Sequence, residues 1–134
     1  MHKDAITVAA ILKRKLSTCK KWKRENIVPW VQWFCDNGRC FIIRRGGQVT
    51  AVALVRCLDT AEQAEDTYFD NDGQTVYVDA TVATDTDSMK AIFTLMWLKF
   101  GQFKARIAWS RSKNGKIVIK PMNRAFRRLS YGQT

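Results

Sequence analysis

One histidine and two prolines in 134 residues leave several kinds of chemistry without their usual parts. The histidine, His2, stands at the start of the chain, so neither a Ser-His-Asp nor a Cys-His arrangement is expected. The four cysteines, Cys19, Cys35, Cys40 and Cys57, include no C-x-x-C pair. That spacing lacks the signature of a tetrahedral zinc site, and no metal is expected. Met1-His2-Lys3-Asp4 leads into a mixed segment with no secretory pattern. The thiols are therefore expected to be reduced and buried, in a cytoplasmic protein. No apolar run approaches the roughly 20 residues that a membrane span needs, so no membrane partner is expected.

Charge of one sign is missing from long stretches. Residues 57–88 contain no Lys or Arg, and residues 89–134 contain no Asp or Glu. The charge is thus laid out basic, acidic, basic. Residues 1–56 hold 12 Lys and Arg against 3 acids, residues 57–88 hold 9 acids, and the remainder holds 11 Lys and Arg, for a net +11. Such a balance favours an anionic partner, either nucleic acid or an acidic protein surface. Two outcomes are open for the opposed blocks. They can pair between subunits, or they can neutralise one another within one chain; oligomeric state is not set by the sequence.

Apolar residues form 46% of the chain, with seven Phe and five Trp, enough for a packed core in one domain spanning residues 1–134. Asp4 to Leu16 reads as a helix with Ile6, Ala9, Ala10, Leu12 and Leu16 as its stripe and Lys13-Arg14-Lys15 in its last turns. A basic run around one aromatic follows, Lys20-Lys21-Trp22-Lys23-Arg24. A second helix is expected from Pro29, since proline suits a first turn, and Asn37-Gly38 supplies a left-handed stop. Trp30, Trp33 and Phe34 share one face; that stripe reads as core, with base stacking the lesser alternative.

A hairpin follows, Cys40–Arg44 and Gln48–Leu58 joined at Gly46-Gly47. Val49, Ala51, Ala53 and Val55 are expected on one face of its long second strand and Val52 and Leu54 on the other, so that strand should be covered on both sides. The acidic segment 59–74 is a surface connection with one helical turn near Ala61–Asp66 and a turn at Asn71-Asp72-Gly73. Thr75–Val82 is a third strand, about 86–100 a helix, and Ala105–Trp109 a fourth strand; a unit of this length places its strands in parallel. Asn114-Gly115 turns the chain into Lys116–Lys120. A short basic helix, Asn123–Leu129, then turns Phe126 and Leu129 inward. The fold class is therefore α+β, with N-terminal helices, a mixed, mostly antiparallel sheet, and a C-terminal hairpin and short helix.

Gly46-Gly47-Gln48-Val49-Thr50-Ala51-Val52-Ala53-Leu54, Val76-Tyr77-Val78-Asp79-Ala80-Thr81-Val82 and the helix at 89–100 occur in an order that resembles the GCN5-related N-acetyltransferase (GNAT) superfamily over residues 4–110. The resemblance implies acetyl-CoA as cofactor and acyl transfer to an amine, with a splay between the third and fourth strands admitting the pantetheine arm. The family reads Arg/Gln-x-x-Gly-x-Gly/Ala at the start of the helix after the third strand, where N–H groups meet the pyrophosphate. This chain instead has Ala83-Thr84-Asp85-Thr86-Asp87-Ser88. Thr84, Thr86 and Ser88 would then be the cofactor-binding residues if CoA is bound; the reading preferred for these residues is that Thr84 or Asp85 caps the helix and Asp87 complements its dipole. The family's strand carboxylate base and late tyrosine acid match only loosely here, at Asp79 and Tyr131.

The sequence thus carries two functions. One is a divergent acyl-CoA N-acyltransferase-like protein whose CoA binding is in question. The other is a non-enzymatic basic domain that binds nucleic acid or another protein, of a kind found among phage and bacterial accessory proteins. The second rests on Lys20, Lys21, Trp22, Lys23 and Arg24, and on Arg124, Arg127 and Arg128, which share a helix face by their spacing.

Overall fold

The structure, a computed structural model, describes residues 3–111 and 114–126. Three helical segments come first: α1 (Lys3–Lys15), α2 (Ser17–Lys20) and α3 (Arg24–Asp36). Strands β1 (Cys40–Arg45), β2 (Gln48–Leu58) and β3 (Thr75–Ala83) follow, with a 3₁₀ turn at Ala61–Glu65 between the last two. Helix α4 (Thr86–Phe100) leads to β4 (Arg106–Ser110), β5 (Ile117–Pro121) and a single turn, α5 (Met122–Ala125). The five strands lie in one sheet in chain order. Only the β3–β4 pair is parallel; the other neighbours are antiparallel. The expected α+β class and parallel strand–helix–strand unit are both observed.

The sheet is covered on both faces, as the two-sided apolar character of β2 requires. Ala5, Val8, Ala9 and Leu12 of α1 and Ile27, Val28, Val31 and Phe34 of α3 pack with Val52, Leu54, Ala80 and Val82 on one face. Ile92, Met96 and Phe100 of α4, with Met122 and Phe126, pack with Ala51, Ala53, Val55, Cys57, Val76 and Ile107 on the other. The 3₁₀ turn adds a third cluster through Ala61 against Leu58, Tyr77 and Ala108.

Four local expectations are corrected. The α1 stripe is rotated, because Ile6 is 40% exposed and Ala5 and Val8 are buried in its place. Helix α3 starts at Arg24, with Pro29 inside it. Pro29 falls in the helix's second turn, where its missing N–H removes one intrahelical bond, and Ile27 and Val28 beside it are anchored in the core, which offsets that loss. Val49 packs on the α1–α3 face and not with Ala51. The cause is a β-bulge: Ile43 faces Ala51 and Arg44 faces Val49, which leaves Thr50 as the extra residue and reverses the alternation beyond it. Helix α5 spans Met122–Ala125 only, starting one residue early; Phe126 is buried as expected, while Leu129 lies outside the described residues. The expected left-handed stop of α3 is present, with Gly38 at φ 67°.

A second bulge and an interrupted ladder shape the centre of the sheet. Leu54 faces Ala80 and Val55 faces Val78, so Asp79 is the extra residue in β3. The β3–β4 ladder runs only from Thr75–Arg106 to Val78–Trp109. From Asp79 to Ala83, β3 continues without a β4 partner. Among the described residues, no helix is long and apolar enough to cross a membrane.

Candidate functional site

Two places gather the residues singled out in the sequence. The first is the unpaired end of β3 with the start of α4. Asp79 is nearly enclosed there, with 12% of its side chain exposed, and both its oxygens accept from Arg56 at 2.8 Å. The Arg56 side chain is 5% exposed and donates further to the carbonyls of Ala64 and Asp66. Its guanidinium also lies 5.7 Å from the Tyr77 ring centroid. Burial pushes the Asp79 carboxyl up, against the opposing pull of Arg56. Asp79 thus ties the acidic connection to the sheet through Arg56, which engages both of its oxygens. Two residues on, Thr81 Oγ1 is buried with no hydrogen-bond partner among the described residues.

At the α4 N-terminus, Asp85 is the N-cap, and its Oδ1 accepts from the Ser88 backbone N–H at 2.8 Å. Thr84 Oγ1 donates to Asp85 Oδ2 at 3.0 Å. The Ser88 hydroxyl bridges Asp85 Oδ2 and Thr50 Oγ1, and the bulged Thr50 carbonyl accepts from the Thr84 N–H. Arg45 approaches Asp85 at 3.4 Å. The bond from the Ser88 N–H, followed by that from Thr84, holds the Asp85 carboxyl below the usual range, so it is ionised at neutral pH. Thr84 and Ser88 therefore serve the cap, while Thr86 is an exposed first-turn residue. Capping by Asp85 is borne out. The residues present do not fit a pyrophosphate: a fixed carboxylate already uses the N–H group and the dipole that the phosphates would need, and Asp87 adds a second negative charge.

The second place is an open groove of about 480 Å³ between the α2–α3 junction and the chain after the 3₁₀ turn. Lys21, Trp22, Lys23, Glu25, Asn26 and Trp30 line one side, and Thr67 and Tyr68 the other. The basic run falls here because α2 ends at Lys20 and α3 begins at Arg24, leaving Lys21, Trp22 and Lys23 in the connection. Lys13 Nζ donates to the Trp22 carbonyl, tying that connection to α1. Trp22 is 38% exposed and meets Trp30 edge-on, with ring centroids 5.1 Å apart. Trp30 continues to Phe34 at 5.2 Å, so the exposed ring is backed by the core. Tyr68 is 51% exposed, meets Trp33 at 6.0 Å and adopts a left-handed φ of 55°. That conformation is strained for a bulky residue, a feature found more often at functional positions.

Lys20, Lys21, Trp22, Lys23 and Arg24 are thus brought together at one surface. Arg124 lies on α5, in the layer of α4 across the sheet from α2 and α3, so it does not join the basic cluster at the α2–α3 junction. Arg127, Arg128 and Tyr131 lie outside the described residues. Sequence reasoning missed Glu25, Asn26, Thr67 and Tyr68. The one available signal was Tyr68-Phe69, an aromatic pair in a segment otherwise poor in apolar residues.

Two further chemistries lack support. Burial pushes the Cys35, Cys40 and Cys57 thiols up, so none is a thiolate ready to act as a nucleophile near neutral pH. Among the described residues, no group of His, Cys, Asp and Glu is placed to hold a metal ion. Neither a protein-family model nor a curated protein matches this sequence.

Proposed function

We propose that this chain is a binder of single-stranded nucleic acid built on an acetyltransferase-like scaffold that does not take CoA. The groove at the α2–α3 junction carries this reading. It sets an exposed, core-backed Trp22 and an exposed Tyr68 beside Lys21 and Lys23. Bases unstacked from a strand lie on aromatic faces, and cations track the phosphates. A duplex keeps its base faces stacked and offers nothing to Trp22 or Tyr68. The walls differ in charge, since Lys20, Lys21, Lys23 and Arg24 flank one side while Glu65 and Asp66 precede Thr67 on the other. Phosphates belong with the first side and a base with the aromatic floor.

The scaffold is supported by the element order and by the β3 strand that outruns its β4 partner. The Asp85 cap weighs against CoA. A second reading, acyl transfer from CoA with the pantetheine arm beside the unpaired β3, is favoured by the partnerless Thr81 hydroxyl.

Titration with labelled single-stranded DNA, single-stranded RNA and duplex, alongside calorimetry with acetyl-CoA, separates the two. The expected result is single-strand binding at low salt, weaker duplex binding, and no heat from acetyl-CoA at high micromolar ligand. Heat from acetyl-CoA without strand binding reverses the assignment.

A further inference from the structure

Cys35 stands in the last turn of α3, and Cys40 is the first residue of β1. The chain between them, Asp36-Asn37-Gly38-Arg39, folds back over the end of the helix. The Gly38 N–H donates to the Cys35 carbonyl at 3.2 Å and the Arg39 N–H to the Phe34 carbonyl at 2.8 Å, with Gly38 in the left-handed conformation that the reversal needs. Cys40 faces Leu54 across the β1–β2 ladder. Both cysteines pack against the core cluster that holds Phe34 and Leu54, and their sulfurs lie within hydrogen-bonding reach of each other. Cys19 and Cys57 differ: they are 3% and 0% exposed and belong to clusters on opposite faces of the sheet. Cys35 and Cys40 are only partly buried, which leaves them open to a small reagent.

We propose that Cys35 and Cys40 form a reversible dithiol–disulfide couple that staples the end of α3 to the start of β1. It is independent of what the groove binds. The oxidant is a small disulfide of the glutathione type. Cys35 loses its proton to solvent and attacks one sulfur of that disulfide, and the other sulfur leaves as a thiolate with the bonding electron pair. Cys40 then loses its proton and attacks the Cys35 sulfur, which forms the Cys35–Cys40 bond and expels the second small thiolate. Two protein thiols are oxidised and one small disulfide is reduced to two thiols, so atoms and electrons balance. The order of attack follows from the surroundings. Burial pushes both thiols up; the bond from Cys40 offsets part of this at Cys35, whereas Cys35 adds to it at Cys40. Asp4 faces both thiols, Asp36 faces Cys35 and Arg44 faces Cys40. The exchange is therefore slow at neutral pH and gains rate as pH rises.

The test incubates the full chain with oxidised glutathione at mildly alkaline pH, quenches with acid, alkylates the remaining thiols in denaturant and maps the digest by mass spectrometry. Arg39 lies between the two cysteines, so tryptic cleavage there leaves two peptides that only the new bond joins. The expected result is a Cys35–Cys40 link within one chain, with Cys19 and Cys57 alkylated and the near-UV circular dichroism unchanged. Reduced glutathione should reverse it. The rate should rise about tenfold for each unit of pH, because the thiolate fraction of a thiol with a raised pKa does so. Cys40→Ser should stop at a glutathione adduct on Cys35. Free Cys35 and Cys40 thiols under conditions that oxidise the urea-unfolded chain would overturn the proposal. So would a link to Cys19 or Cys57, or a Cys35–Cys40 link that appears only as the near-UV signal is lost. These wild-type outcomes do not depend on any variant folding.

Discussion

Asp79 and Arg56 show how one pair can hold three parts of the molecule. Arg56 comes from the central strand, Asp79 from the bulge in its neighbour, and the two carbonyls that complete the guanidinium's bonding come from the 3₁₀ turn and the residue after it. A buried ion pair adds little over a well-packed apolar pair, but breaking one leaves a charge without a counterion. Asp79→Asn should therefore lower stability by about 3 kcal/mol, read as a lower urea midpoint. A midpoint unchanged from the wild type would show that Arg56 is served well enough by the carbonyls alone.

Elements are positioned by bulges and by close backbone approach. Gly73 ends the acidic connection, and a Cβ there would lie 2.3 Å from the Leu58 carbonyl carbon. Neither backbone can yield without disturbing β2, so Gly73→Ala should cost about 2 kcal/mol through overpacking, measured by thermal unfolding. The elements themselves were largely legible, because β-branched runs, Gly46-Gly47, Asn114-Gly115 and the Asp85 cap act locally. The bulges at Thr50 and Asp79 were not. An inserted residue reverses the in–out alternation without changing composition, so Val49 read as lying on the wrong face. Helix α3 began earlier than Pro29 suggested because tertiary burial of Ile27 and Val28 outweighs one missing N–H. At the site, the basic run and Trp22 were legible. Tyr68 was not, since its place opposite Trp22 depends on how the acidic connection folds back, a non-local fact.

Across the whole molecule, the opposed charge blocks partly neutralise one another within the chain. Arg39 pairs with Asp70 at 2.7 Å and with Asp72 at 3.2 Å, Lys104 pairs with Asp72 at 3.0 Å, and Arg45 approaches Asp85 at 3.4 Å. Burial raises Asp70, but the bonds from Arg39 and from the Cys57 and Asp72 N–H groups outweigh it and hold the carboxyl below its ordinary value of 3.8. A lowered folded value means that Asp70 stabilises the fold above pH 3.8 and that this contribution is lost as pH falls through the folded value. Urea midpoints followed downward from neutral pH should fall for the wild type. Asp70→Asn should start about 2 kcal/mol lower and converge with the wild type in acid. Parallel curves would contradict the pairing.

The cations at the α2–α3 junction are different. Lys20, Lys21, Lys23 and Arg24 are exposed and form no ion pair among the described residues, which leaves them to an outside anion. The most direct measurement is the salt dependence of single-strand affinity for the wild type and for a Lys21→Ala, Lys23→Ala double variant. Four phosphate contacts predict a slope of log affinity against log salt of about −3 for the wild type, reduced to about half in the variant. Binding that is flat with salt, or a slope that the two substitutions leave unchanged, would contradict a nucleic-acid interface at this groove.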